Sequence, residues 1–589
     1  MQPASQSLEP HPWDLSEFYA SESDWMNEVA ALQKVIPELS RLESKMRQSP
    51  QSLLSVLAAT RDLRMRAGKM TIFGTLQSSV DPGNATATHH LDVAQRLEAE
   101  VESAASGVWI ELAAIGPDRF QAMVAKEPRL AKFTRIAQRV FTMAPHYNPG
   151  AEALIKRAAR WPSTCFDAYS QLTNELPWPA VRAENGVDVA ADSNNLAVAR
   201  ASGSPKLKDT LTKAHFEALK KFEDTFGLLL ARRIEADDVL ANAEGFSRGI
   251  DARLFLLDGF SPAVVEAFTK AAHNNLDTLQ RYIKLRSKAL GEDRVSYSSL
   301  AAGLPLQKTY TIAECRNIAK DLAEPFGPTF EAAMLGRLDG KYLYLPPVSS
   351  QTFGIWYPVG GVGPYGIIDF RGTYRAARRY VGAGFLSMAY LDVLKDRIPD
   401  SRVDPPVLSN VILDGMRNVF DDYCIAHESS KNAKIALICF VMDNQLNFFN
   451  EVLLDELESK IQQLGAAGNT PTGAQISQMY LDLKREYYGS ACSIDDLYRS
   501  EWMDEDLLFM SSEMQFWPVS FAGAAQMDEW YWGKDPRFFR GFDIIKTSPS
   551  DFSADALKSL GLDMTQQAPY EAAISRMNKL CDELEALLK

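Results

Sequence analysis

Histidine is scarce in this chain, and no two of its seven histidines lie four residues apart. His11, His89, His90, His146, His215, His273 and His427 therefore form no H-E-x-x-H, the helical pattern in which two imidazoles hold zinc and the glutamate between them activates the bound water. Cysteine is also sparse. Cys165, Cys315, Cys424, Cys439, Cys492 and Cys581 are scattered without C-x-x-C spacing, which disfavours a disulfide framework and a thiolate zinc site. There is no apolar run of the roughly 18 residues needed to span a bilayer, and the first residues lack the basic and apolar regions of a secretory leader. The expectation is a cytoplasmic protein with no membrane partner. Positive charge is in deficit, with a net charge of −14, which argues against nucleic acid or anionic membranes as partners. The glycine cluster Gly360-Gly361-Val362-Gly363-Pro364 matches neither a Walker A nor a dinucleotide motif. No cofactor is expected.

What is present is helical periodicity. A length of 589 residues with 46% hydrophobic content is enough for more than one core, and apolar residues recur at three and four spacing through most of the chain. The fold class expected is mainly α. Several antiparallel helices are predicted from Ser21 to about Ala144, with Asp81-Pro82-Gly83-Asn84 as a breaker. Turn residues cluster between Trp178 and Pro205, which places a boundary near residue 200 and divides the chain into an N-terminal helical lobe, 1–200, and a second region, 201–589. Helices resume at Lys208–Phe226 and Ser261–Leu290, where Ser261-Pro262 reads as an N-cap followed by a first-turn proline. The main β signal is local, in Lys341–Leu345, Thr352–Pro358 and Tyr365–Phe370.

Five segments in order resemble the oligoendopeptidase F family, zinc peptidases of the thimet oligopeptidase clan, and together they cover nearly the whole chain. Trp13-Asp-Leu-Ser-Glu-Phe-Tyr19 is similar to the family's opening motif. Ser204–Phe226 resembles the helix that opens its catalytic region. Pro364-Tyr-Gly-Ile-Ile-Asp-Phe-Arg-Gly-Thr-Tyr374 resembles the strand and turn that lead into the zinc helix. Phe448–Gly489 resembles the segment after the metal site, and Gly561–Thr565 with Pro569–Ala573 the C-terminal signature. The resemblance implies a two-lobed helical body around a deep internal channel, with a small sheet beside the metal helix.

Carried forward from Gly372-Thr373, the family's five H-E-x-x-H positions fall on Gly382, Ala383, Gly384, Phe385 and Leu386. The glutamates of the following helix correspond to Asp414 and Asp421, and the histidine of the C-terminal aromatic segment, which binds substrate in the family, to Ser511. The expectation that follows is a pseudo-peptidase: zinc-free, without peptide hydrolysis, its channel used to bind a peptide or small molecule or to scaffold a partner. A homo-oligomer is compatible with the sequence. The alternative is a repurposed metal-free enzyme with Asp414 or Asp421 as acid or base and Arg378 or Arg379 as an anion clamp. A residual metallopeptidase would need Asp414, Asp421, Asp422 and His427 to converge on a metal.

Arg375, Arg378 and Arg379 share one helical face and read either as an oxyanion receptor or as a structural face paired with Asp369, Asp414 and Asp421. Tyr365, Phe385, Phe516 and Trp517 are further ligand-contact candidates, with core packing as their competing role. Gly382 and Gly384 inside a helix imply close packing or a local break, because glycine costs about 1 kcal/mol there against alanine.

Overall fold

The computed structural model describes residues 13–80, 84–148, 155, 158, 160–202, 204–292, 297–300, 304, 306, 308–346, 353–356, 362–391, 406–510, 516–548 and 550–589. Helices dominate. Glu22–Glu43, Pro50–Val80 and Ala85–Ile115 form the N-terminal helical set, and Asn84 caps the third by accepting from the N–H groups of Thr86 and Ala87. The expected long helices are each interrupted once. Lys221 and Phe222 separate Pro205–Lys220 from Glu223–Ala243, and Asn275 separates Ala263–Asn274 from Leu276–Leu290. Ser261 does not cap the latter pair, since Pro262 stands at the N-cap with no side-chain hydrogen bond. Apolar periodicity runs through such breaks because both halves bury the same face, so spacing alone does not reveal them.

The turn-rich stretch after Trp178 forms a short antiparallel hairpin, β1 (Ala180–Arg182) with β2 (Asp188–Ala190). The second β signal forms a three-stranded sheet of β3 (Leu343–Tyr344), β4 (Phe353–Trp356) and β5 (Tyr365–Ile368). β5 lies in the middle, parallel to β3 and antiparallel to β4.

The chain groups into two compact units, each assembled from three segments. The first comprises 1–145, 308–422 and 527–561, and the second 146–307, 423–526 and 562–589. In the first unit the core runs from Trp13 through the N-terminal helices to Tyr344, Tyr365 and Ile367 of the sheet. The Trp13 indole N–H donates to the Gly366 carbonyl at 2.8 Å, so the opening motif is anchored on the central strand. In the second unit, helix Trp161–Glu175 packs on Glu223–Ala243, with Tyr169 stacked on Phe509 at 4.1 Å. Among the described residues, no helix is long and apolar enough to cross a membrane.

Candidate functional site

From β5 the chain turns at Gly372 into helix Tyr374–Leu391. Gly372 has φ +71°, a left-handed conformation that suits glycine, and its carbonyl accepts from the Tyr310 N–H at 2.8 Å. The helix is continuous through Gly382 and Gly384, so of the two expectations for these glycines close packing holds and a break does not. A Cβ at Gly382 would lie 3.2 Å from Arg417 Cγ and from Leu413 Cδ1, and one at Gly384 would lie 3.2 Å from Leu338. Ala383, Phe385 and Leu386 are buried, and Phe385 belongs to a phenylalanine cluster with Phe326, Phe330 and Phe542.

Helix Pro406–His427 brings Asp414, Arg417 and Asp421 to the same region. Asp421 is 1% exposed, takes both carboxylate oxygens to Arg378 Nε at 2.8 and 3.0 Å, and accepts from the Tyr374 hydroxyl at 2.7 Å. Asp414 pairs with Arg417 at 2.8 Å, and Arg371 with Asp369 at 2.7 Å. Both carboxylates are thus taken up by guanidinium groups in the folded chain. Arg378 is likewise engaged in an ion pair rather than held ready as a clamp. Arg375 is exposed and Arg379 half-buried. Desolvation and then Arg378 lower the Arg375 guanidinium, while desolvation followed by Arg417, Arg375 and Arg378 brings Arg379 down to about 10.

The remaining sequence candidates separate. Tyr365 is buried, donates to the Asp14 carbonyl at 3.0 Å, and packs against Trp13 and Phe18, so its place is in the core. Phe516 is buried beside Arg253, whereas Trp517 is 40% exposed. Ser511 lies outside the described residues. His427 Nδ1 lies 2.8 Å from the Tyr423 carbonyl, and its ring stacks on that of Tyr423. Among the described residues, no group of three or more His, Cys, Asp and Glu side chains is placed to hold a metal ion.

Two carboxyls that sequence reasoning passed over stand out in the second unit. Glu451, on helix Asn447–Ala466, has a fully buried Oε2 with no hydrogen-bond partner. Burial, reinforced by the nearby charge of Glu505, pushes its carboxyl up to about 8. Glu505 is raised to about 7 by burial and then by Glu501, with Lys484 acting in the opposite direction. Beside them Lys484, 1% exposed, pairs with Glu501 at 2.6 Å and donates to the Tyr297 hydroxyl, while the Tyr480 hydroxyl donates to Glu501 at 2.9 Å. A signal for Glu451 was present in the sequence, because Phe448, Leu454 and Asp455, three and four residues away, mark its helix face as the buried one.

No family model matches the chain. The chain is similar to oligopeptidase PepF of Bacillus subtilis, 22% identical over 98% of this chain and 87% of that one. It is also similar to group B oligopeptidase PepB of Streptococcus agalactiae, 20% identical over 98% and 97% respectively. The crystal structure of oligoendopeptidase-F from Enterococcus faecium superposes with a TM-score of 0.73, covering 96% of this chain and 99% of that one at 18% identity. The fold is that of oligoendopeptidase F.

The relatives overturn one expectation. A pseudo-peptidase without hydrolysis was inferred from the altered helix, yet the proteins matched along 98% of this chain are oligopeptidases by name, and they favour peptidase activity. Losing a motif removes one route to hydrolysis. It does not establish that the chain is inert.

The oligoendopeptidase F fold implies zinc, and the donor set tests that implication. Gly382, Ala383, Gly384, Phe385 and Leu386 supply no metal-ligating side chain, and the space beside Gly382 is taken by Arg417. A cation set against this arginine would also meet like charge. These five positions do not fit a zinc ion.

Proposed function

We propose that this chain is a peptide-directed enzyme of the oligopeptidase kind, which hydrolyses peptide bonds in oligopeptides. The observation that carries this reading is its match, over 98% of its length, to proteins named as oligopeptidases. The fold agrees with that of an oligoendopeptidase-F over 96% of the chain. Peptide hydrolysis needs a base to take a proton from water and an acid to give one to the leaving amine. Glu451 and Glu505 meet that need: with carboxyls raised to about 8 and about 7, the pair at neutral pH holds one carboxyl largely protonated while the other is partly ionised. The proton belongs to the pair rather than to either residue. Lys484 and the tyrosines Tyr297 and Tyr480 fix Glu501 beside this pair and so keep its charge in place.

The test is cleavage of a quenched fluorescent peptide library by the purified full chain, repeated with Glu451→Gln and Glu505→Gln. Cleavage is expected in the wild type, falling roughly 100-fold or more in each variant, as for loss of a general acid or base. No cleavage of any library member would overturn the reading, and undiminished cleavage by both variants would remove the carboxyl pair from it. A chelator arm reports whether a metal takes part.

A further inference from the structure

In the second unit a small cleft lies between helices Glu223–Ala243 and Asn447–Ala466 and the segment Arg248–Ile250. Its walls carry three carboxylates, Asp237, Asp238 and Glu458. Buried Arg233 bonds to Asp237 at 3.0 Å and to Glu458 Oε1 at 2.9 Å, so one guanidinium is divided between two of them. Arg248, also in the wall, is taken up by both oxygens of Asp251 at 2.7 and 2.9 Å. Asp238 accepts from neutral donors, the Gly249 N–H at 2.7 Å and the Gln462 amide at 3.1 Å, and burial raises its carboxyl.

Glu458 supplies the observation that points to a ligand. It is 7% exposed, and its Oε2 has no hydrogen-bond partner among the described residues. A buried carboxylate oxygen left without a donor is costly, and it recovers most from a partner that brings N–H groups and positive charge together. Water would bring the donors without the charge. A metal ion would need three ligating side chains, and among the described residues no such group is placed to hold one. A primary ammonium meets both needs, with three donors on one small centre, while Ile234 and Ile250 offer its alkyl stem an apolar wall. Glu458 also follows Glu451 by seven residues on one helix, which puts the two on the same face and roughly 10 Å apart along it, a distance that about three residues of extended peptide cover.

We propose that this cleft, with Asp238 and Glu458 as its charged acceptors, binds a primary ammonium of the peptide substrate. This inference rests on the peptide-directed reading above. The ammonium has two sources, the free N-terminus or a lysine side chain.

Fluorescence anisotropy of short peptides without acidic residues, each labelled at its C-terminal amide, distinguishes the sources. One has a free amino end and no lysine, one is acetylated and has no lysine, and one is acetylated with a single internal lysine. Trimethylated forms of both amines keep the charge and lose the donors. An amine-bearing peptide is expected to bind roughly tenfold or more tighter than the acetylated lysine-free one, the scale of a hydrogen bond to a charged group. Which amine confers the gain identifies the source. Asp238→Asn and Glu458→Gln should each abolish the preference. Equal binding of amine-bearing and acetylated peptides overturns the site. So does equally tight binding of a trimethylated form, which would report only the attraction of a chain with net charge −14. An equal loss for all peptides in the two variants overturns it as well. If Glu458→Gln does not fold because Arg233 loses a partner, Asp238→Asn decides, since that carboxylate is half-buried and met by neutral donors. Library cleavage without ammonium preference would sink the site and leave the peptidase reading standing. Ammonium-dependent binding without cleavage would do the reverse, and no binding of any peptide would overturn the site.

Discussion

Arg417 packs across Gly382, so that a Cβ on the glycine would stand 3.2 Å from the arginine's Cγ. A neighbouring helix therefore fills the space beside Gly382 and leaves no room there for a larger side chain. Gly382→His is expected to destabilise the chain by roughly 1–3 kcal/mol through overpacking. Urea denaturation measures this. In an Arg417→Ala background the cost should shrink, and a double-mutant cycle that instead gave simple additivity would show that the contact does not matter.

Asp421 holds two partners at once, Arg378 and Tyr374, and is almost without solvent access. Removing it leaves Arg378 among like charges. Asp421→Ala should cost roughly 3–5 kcal/mol, the range for breaking a buried pair from one side. Asp421→Asn keeps an acceptor for the tyrosine and should cost less. The two denaturation midpoints would be compared directly, and equal values would mean that the charge contributes little.

The sequence made much of this region legible and its partners illegible. The strand Tyr365–Ile368, the turn at Gly372 and the helix after it follow from short motifs, because local spacing and turn chemistry act over a few residues. That Gly382 faces Arg417 and Gly384 faces Leu338 could not be read, since each contact joins positions distant along the chain. The cluster Arg375, Arg378 and Arg379 was visible as a pattern, but that Arg378 is engaged by Asp421 is a contact between helices that spacing does not reveal. Glu451 and Glu505 were missed for a related reason. A carboxyl is raised by what surrounds it, and its surroundings come from separate parts of the chain.

Gly473 opens helix Gly473–Tyr488 directly against the backbone of Glu223, and a Cβ there would meet the Glu223 carbonyl oxygen at 2.1 Å. From the other side, a Cβ added at Gly227 would stand 2.6 Å from the Gly473 Cα. Backbone cannot move aside as a flexible side chain can. Gly473→Ala is therefore expected to destabilise toward or beyond the upper end of the roughly 1–3 kcal/mol typical of overpacking, whereas alanine at Gly465, which has open space around it, should leave the melting temperature nearly unchanged. Equal melting temperatures for the two variants would contradict the close approach.

The raised carboxyls of Glu451 and Glu505 also set a pH dependence of stability. In the unfolded chain each titrates near its ordinary value of 4.5, while in the folded protein they titrate near about 8 and about 7. Across that window the folded state binds more protons than the unfolded state, so stability must fall as pH rises. The contribution is fully present below the unfolded value and is lost as pH passes through 7 and then 8. Glu451→Gln and Glu505→Gln, which stay neutral, should each flatten part of this decline and raise the melting temperature at alkaline pH relative to the wild type. Melting curves recorded from weakly acidic to weakly alkaline pH check it. A wild type whose stability rises through neutral pH, with glutamine variants that track it unchanged, would mean that these carboxyls are solvated and ordinary, and the acid–base role assigned to them would fall with that result.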